Sequence, residues 1–347
     1  MNALAVNVLG TAVEIAAPPT LLGELRAVLV DLDPASGADR QLALVPGERG
    51  FDLWDDGRIV RPGIEPVIAA ATVVWRLNAV AGEAAGHVLI HGACVAAPGG
   101  GAVLLPGGTG AGKSTLTAAC VGAGFAYLSD ELAALDCATG TVAPYPKPLN
   151  LDRERLVPAS SLGVVASRPA NPGALVFPRY EPGAETDDAP LDPPWALLAL
   201  AAHATNLVAL GHEALVWLAG VALTCPARQL TYGDAAQVVT AIERAAEAPH
   251  RPVAPAVTLP RVTDDTTTVA MGDSLAVLHR PSRMVHVLNR SAAVIWRRAA
   301  AAEAHDSSAR VDAVLEAGDR EQPDRSTATT TIDRLVRSGL LPAAAGT

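Results

Sequence analysis

The stretch from Gly107 to Thr115 reads Gly-Gly-Thr-Gly-Ala-Gly-Lys-Ser-Thr, and it constrains the fold more than any other part of the chain. It is a complete phosphate-binding pattern: Gly107, four residues, then Gly112-Lys113-Ser114. An apolar, strand-like run (Gly101 to Leu105) precedes it, and a helix-like run (Ser114 to Val121) follows. The chemistry follows from that geometry. Glycines let backbone wrap an anion, and amide N–H groups at a helix N-terminus point at it. Gly107, Gly108, Thr109, Gly110, Ala111, Gly112 and Thr115 form the predicted cradle. Lys113 neutralises the terminal phosphates and Ser114 ligates Mg²⁺. The chain has 24 Arg and only two Lys, Lys113 and Lys147. A lysine in this loop therefore stands out, because a compact ammonium fits between phosphates where a planar guanidinium does not.

With 347 residues, the chain is long enough for two domains or more. Its net charge is −10, all of it in the first 255 residues, because residues 256–347 carry 11 Arg against 11 Asp and Glu. With no basic tract, nucleic acid and anionic membrane are poor partners. Cys94, Cys120, Cys137 and Cys225 show no paired spacing, which suits reduced thiols in a cytoplasmic protein. The N-terminus lacks the basic start of a signal peptide. Pro193 to Leu210 is uncharged, but His203 and Asn206 interrupt it, so it reads as buried helix rather than a membrane span. His203 and His212 read as packing residues on apolar helices.

The expected organisation is an α/β protein in four parts. Residues 1–85 form a small α+β lead-in with a helix from Glu65 to Ala81, and residues 86–247 carry the loop. Residues 248–255, with three prolines, form a linker, and residues 256–347 form a separate module. Pro98-Gly-Gly-Gly101 marks a hairpin, and Phe125 to Leu128 is a short strand ending at Ser129-Asp130-Glu131. Tyr145-Pro-Lys-Pro148 is a stiff turn, and the Pro- and Asp-rich residues 181–194 read as a surface loop. Residues 195–245 read as helices with a short strand near Arg228 to Leu230. Two chemical groups flank the loop in sequence. His91 lies 16 residues before Gly107, and Asp130 lies 17 residues after Lys113 at the C-terminal end of a strand. In an α/β sheet that end faces the ligand crevice. Asp130 could accept a hydroxyl proton or hold Mg²⁺, Glu131 could share the metal, and a carboxylate near His91 would fix its tautomer or raise its pKa.

The stretches Leu89-Ile-His-Gly-Ala, Val103 to Thr115 and Tyr127-Leu-Ser-Asp-Glu together resemble the catalytic domain of the HPr kinase/phosphorylase family. The likeness covers residues 85–245, including Tyr145-Pro-Lys-Pro-Leu-Asn-Leu, Val176-Phe-Pro-Arg-Tyr and Leu230-Thr-Tyr-Gly-Asp. It implies a P-loop kinase domain related to phosphoenolpyruvate carboxykinase, using ATP and Mg²⁺ and assembling as homo-oligomers. By that resemblance His91 and Asp130 form the general-base pair, and Ser114 with Glu131 holds Mg²⁺. Lys147 and Arg179 would contact phosphate or acceptor. The acidic pair is Asp-Glu where the family usually has Asp-Asp, and the family's downstream HPr-docking signature is lacking.

Residues 256–347 show three strands (Thr266 to Ala270, Leu275 to Arg280, Met284 to Leu288), then a helix capped by Ser291, then helices near Ala309 to Glu316 and Thr329 to Leu340. That order suggests a small winged-helix-like α+β module. Leu275-Ala-Val-Leu-His-Arg-Pro, Val287-Leu-Asn-Arg-Ser-Ala-Ala-Val-Ile-Trp and Arg334-Leu-Val-Arg-Ser-Gly-Leu-Leu resemble PqqD-type peptide-recognition domains. Such domains add the leader of a ribosomally made precursor peptide to a sheet edge. Trp296 reads as core. The combined expectation is a kinase for a Ser or Thr hydroxyl of a precursor peptide, of lasso-peptide type. The alternatives are an HPr-type serine kinase in metabolic regulation and a non-catalytic ATP-binding scaffold.

Overall fold

The computed structural model describes residues 3–150, 156–247, 252–260, 262–302, 306–316 and 323–342. The chain is a mixed α/β protein that divides into two compact units. The first comprises Met1–Leu191, His203–Thr205 and Cys225–Val253; the second comprises Asp192–Ala202, Asn206–Thr224 and Ala254–Thr347. This division differs from the expected one in two ways. The lead-in and the loop-bearing stretch form one unit, and most of residues 192–224 group with the C-terminal module. Among the described residues no helix is long and apolar enough to cross a membrane.

In the first unit, five strands (Ala3–Val8, Thr11–Ala16, Arg40–Gly47, Gly50–Asp55 and Arg58–Ile64) form one sheet in sequence order. Their inward positions alternate in the two-residue strand period, and Val8, Val13, Ile15, Leu42, Leu44 and Leu53 share one core with the helices Pro19–Val28 and Ala69–Ala81. Its expected first turn is instead a short 3₁₀ segment, Pro66–Ile68. Leu132 and Tyr145 of the loop-bearing stretch join the same core, and the Tyr145 hydroxyl donates to Asn78 Oδ1 at 3.0 Å. The lead-in thus shares its core with the stretch that follows.

The larger sheet runs, edge to edge, Val142–Ala143, Leu132–Asp136, His87–Ala96, Gly101–Pro106, Asn171–Tyr180, Ala227–Tyr232, Asp187–Leu191. Ala126–Ser129 also pairs with His87–Ala96. Gly101–Pro106 is buried along its whole length, which explains why it reads as a continuous apolar run. The helix Ala235–Ala246 packs on it and the helix Lys113–Gly122 on the neighbouring His87–Ala96, with Leu116, Cys120, Val238 and Ile242 in their shared core. Ala126–Ser129 is antiparallel to His87–Ala96, which is antiparallel to Gly101–Pro106. Two reversals restore direction, so Asp130 and Gly107 emerge at the same end of the sheet. Asp187–Leu191 corrects the expected surface loop. It is an edge strand antiparallel to Ala227–Tyr232, tied to it by an ion pair between Arg228 and Asp188.

The second unit holds an antiparallel sheet of Thr258–Leu259, Thr266–Met271, Ser274–His279 and Met284–Leu288. Helices Arg290–Ala301, Ser307–Glu316 and Arg325–Arg337 follow, and His212–Thr224 packs on the Thr266–Met271 strand. The helix after the sheet is capped by Asn289, whose Oδ1 accepts from Ala292 N at 2.9 Å, and not by Ser291 as expected. Trp296 is fully buried and donates from Nε1 to Leu340 O at 3.0 Å, satisfying its one polar atom inside the core. The expected linker falls partly outside the described residues, at 248–251; within it Val253 is buried.

Candidate functional site

The glycine loop joins the end of Gly101–Pro106 to the helix Lys113–Gly122. Gly110 and Gly112 have φ of +86° and +82°, the left-handed region that favours glycine. Gly112 is further confined. A Cβ there would lie 2.2 Å from the Tyr232 hydroxyl oxygen and 3.0 Å from Tyr180 Cβ. Tyr232 itself is buried and donates to Gly112 O at 3.2 Å, so it cannot swing away without releasing the loop. Gly112→Ala combines this clash with about 1–2 kcal/mol of backbone strain. With the fold retained, any affinity of the loop for a polyphosphate, read by thermal shift against Mg-ATP concentration, is expected to fall at least ~10-fold. An unchanged titration would show that this backbone geometry is not needed.

Gly92 serves the site in another way. A Cβ on it would meet Leu105 O and Pro106 Cα at 2.8 Å. Only glycine allows this close approach of the two strands, and it holds His91 beside the loop, where Gly107 N donates to His91 O at 3.3 Å. On the other side, Gly92 N donates to Glu131 O at 3.1 Å. The His-Gly pair is therefore a geometric unit.

Lys113 is buried, and its ammonium donates to Gly108 O at 2.9 Å and lies 3.4 Å from His91 Nε2. An ammonium has only donors, so Nε2 is the acceptor and the imidazole proton resides on Nδ1. Nδ1 faces the Glu131 carboxylate at 3.8 Å. Burial, then the Lys113 charge, hold the His91 pKa below the ordinary 6.5, with Glu131 opposing. Burial likewise lowers Lys113, against the pull of Glu131 and Asp130. His91 is thus a neutral imidazole at neutral pH with its Nε2 lone pair turned to the loop lysine.

Asp130 sits in a different environment from the one expected. It is buried, and its Oδ1 lies 2.7 Å from Lys147 Nζ. The fully buried Tyr127 hydroxyl lies 3.0 Å from both Asp130 Oδ1 and Lys147 O. Burial, then the Asp130 charge, hold its pKa well above 10.0, so it remains a donor. Ser114 Oγ donates to Asp130 Oδ2 at 3.2 Å. Lys147, which the resemblance places at phosphate or acceptor, is buried, paired with Asp130 and donating to Pro148 O at 3.1 Å. The carboxylate beside His91 is Glu131, and the one on Ser114 is Asp130, the reverse of the expected pairing. Arg179 is exposed, and its guanidinium pairs with Glu181 at 2.7 Å rather than with a loop residue.

The oxygen donors gathered here, Ser114 Oγ and Asp130 Oδ2, are hard ligands of the kind Mg²⁺ takes from protein when phosphates and water supply the rest. Among the described residues no group of three or more His, Cys, Asp or Glu could hold a metal by protein alone. His203, expected to be a packing residue, lies within electrostatic reach of His91 and Lys113. Ala204 bridges Ile90, and Thr205 N donates to Leu89 O at 2.8 Å, which sets His203 alongside the His91 strand. Burial first, then the charges of His91 and Lys113, lower its pKa. Tyr127 and Tyr232 stand in stretches that carry the resemblance, but their contacts, like the position of His203, depend on pairings between distant strands.

The second unit has its own concavity, about 610 Å³, between the sheet-edge strand Met284–Leu288 and the helix Arg325–Arg337. Thr327, Thr331 and Arg334 line the helix side, and Met284, His286 and Leu288 line the strand side. His286 Nε2 is buried with no hydrogen-bond partner among the described residues. No protein-family model matches the chain, and no curated protein matches it at a significant level.

Proposed function

We propose that this protein is an ATP- and Mg²⁺-dependent kinase that phosphorylates a Ser or Thr hydroxyl of a peptide. The observation that carries the reading is the convergence of His91, Lys113, Ser114 and Asp130 at one end of one sheet, within hydrogen-bonding distance of one another in pairs. Phosphoryl transfer needs chiefly positioning and charge neutralisation, with one group to take the acceptor proton. Lys113 supplies the charge. His91, neutral and with Nε2 as acceptor, can take the proton of an incoming hydroxyl once Lys113 turns to phosphate. Ser114 and Asp130 are the residues that would hold Mg²⁺, whose chemistry is to screen the phosphate oxygens.

The resemblances to HPr kinase-like and PqqD-type winged-helix domains agree with this reading. The edge strand Met284–Leu288 and its groove are of the form that accepts an added peptide strand. A reader tethered to a kinase raises the local concentration of a weakly held acceptor. The test is incubation with Mg-ATP and the short precursor-like peptides encoded beside the gene, with HPr from the same cell in parallel, read by mass spectrometry. Gain of one phosphoryl group on a peptide, lost in Lys113→Ala, is the expected result. Phosphate on HPr alone would make the protein a metabolic regulator, and no transfer to any acceptor would favour the scaffold.

A further inference from the structure

We propose that the cavity beside the far side of the glycine loop is the nucleoside subsite, with the Tyr180 ring as the platform for the base. The inference rests on reading the loop as a triphosphate cradle and extends it to a part of the ligand that the loop motif does not specify.

The loop has a direction. Lys113 and Ser114 turn their side chains toward His91 and Asp130, the end where the terminal phosphate would lie. Gly112 and Thr115 instead line a separate cavity of about 320 Å³. A triphosphate threaded through the loop with its terminal group at Lys113 therefore delivers its nucleoside toward that cavity. The volume falls at the lower end of the range for small-molecule sites.

The cavity's chemistry suits a base better than another phosphate. Its lining includes the carboxylate of Asp234 and two tyrosines, and among the described residues no cation. Tyr232 and Tyr180 lie with ring centroids 5.7 Å apart, tilted by 56°. Their roles differ. Tyr232 is buried and its hydroxyl is committed to Gly112 O, so it braces the loop. Tyr180, at the end of its strand, lines the cavity and is 44% exposed, so its ring is open to a stacked base. Asp234 caps the helix Ala235–Ala246, accepting from Ala236 N at 2.9 Å and Gln237 Nε2 at 3.3 Å. A carboxylate has about four acceptor positions, so two remain for ribose hydroxyls or a base amino group.

The experiment compares Mg-ATP with inorganic tripolyphosphate, which has the phosphates and no nucleoside. Binding of each is measured by calorimetry on the full chain, for wild type, Tyr180→Ala and Tyr180→Trp. Wild type is expected to bind ATP more tightly than tripolyphosphate. Tyr180→Ala should lose about tenfold in ATP affinity, the scale of one base stacked on one aromatic, with tripolyphosphate affinity unchanged. Tyr180→Trp should keep ATP affinity, and its fluorescence should respond to ATP and not to tripolyphosphate. If Tyr180→Ala leaves ATP affinity intact, or weakens both ligands equally, the subsite assignment is overturned while the loop reading stands. If wild type binds neither ligand, the loop reading fails and this inference falls with it.

Discussion

Lys147→Met is expected to destabilise the protein by about 3–5 kcal/mol, the scale found when one member of a buried ion pair is removed. The side chains of Lys147 and Asp130 are 5% and 3% exposed, with 2.7 Å between Nζ and Oδ1, so water cannot replace the missing charge. The Tyr127 and Ser114 hydroxyls would remain on the Asp130 carboxylate, but neutral donors do not balance a buried anion. Asp130→Asn alone should cost a similar amount, because it strands the ammonium. The double variant Asp130→Asn with Lys147→Met removes both charges and should recover most of the loss. Chemical denaturation of the three variants checks this. A Lys147→Met variant within about 0.5 kcal/mol of wild type, the scale of ordinary surface changes, would show that the pair contributes nothing. The result also governs how activity data are read: loss of phosphate transfer in Asp130→Asn reports on chemistry only after the stability cost is separated from it.

Where sequence and structure part company, the cause is mostly distance along the chain. The glycine loop was legible because its spacing is local and its strand and helix neighbours are strongly patterned. Three of the four described strands of residues 256–347, and their three described helices, were legible for the same reason, while the two-residue strand Thr258–Leu259 is too short to show a period. Lys147 was not, since two flanking prolines describe a turn and say nothing of Tyr127 and Asp130, which enclose it. Asp187–Leu191 was hidden by its aspartates and proline, residues that an edge strand tolerates because one side makes no ladder bonds. His203 ends an apolar helix, a position that predicts packing, and only the bridge from Ala204 to Ile90 sets it near the His91 strand. The cap at Asn289 was missed by two residues, within the usual uncertainty of a helix start. The hydrophobic pattern of residues 1–85 predicts a separate lead-in because it shows no trace of Leu132 and Tyr145, which complete its core.

His91→Asn is expected to reduce phosphate transfer by about 10²–10⁴-fold, the contribution of a positioned general base, with ATP binding retained. Its pH dependence separates a base from a packing residue. Burial and the neighbouring Lys113 ammonium hold His91 below its ordinary 6.5. The imidazole is therefore competent at neutral pH and loses its Nε2 lone pair only as pH falls through that depressed value. The wild-type turnover rate should show an acid limb with a midpoint below 6.5, and His91→Asn should flatten it. Glu131 opposes the depression from 3.8 Å away at Nδ1. Glu131→Gln removes that opposition, so the imidazolium becomes harder to form and the acid limb should move to still lower pH. A base positioned by Glu131 thus predicts a shift of the limb in one variant and its disappearance in the other. If both variants kept the wild-type profile, the proton would be leaving the acceptor by another route, and His203, the second imidazole within electrostatic reach of Lys113, would be the residue to replace next.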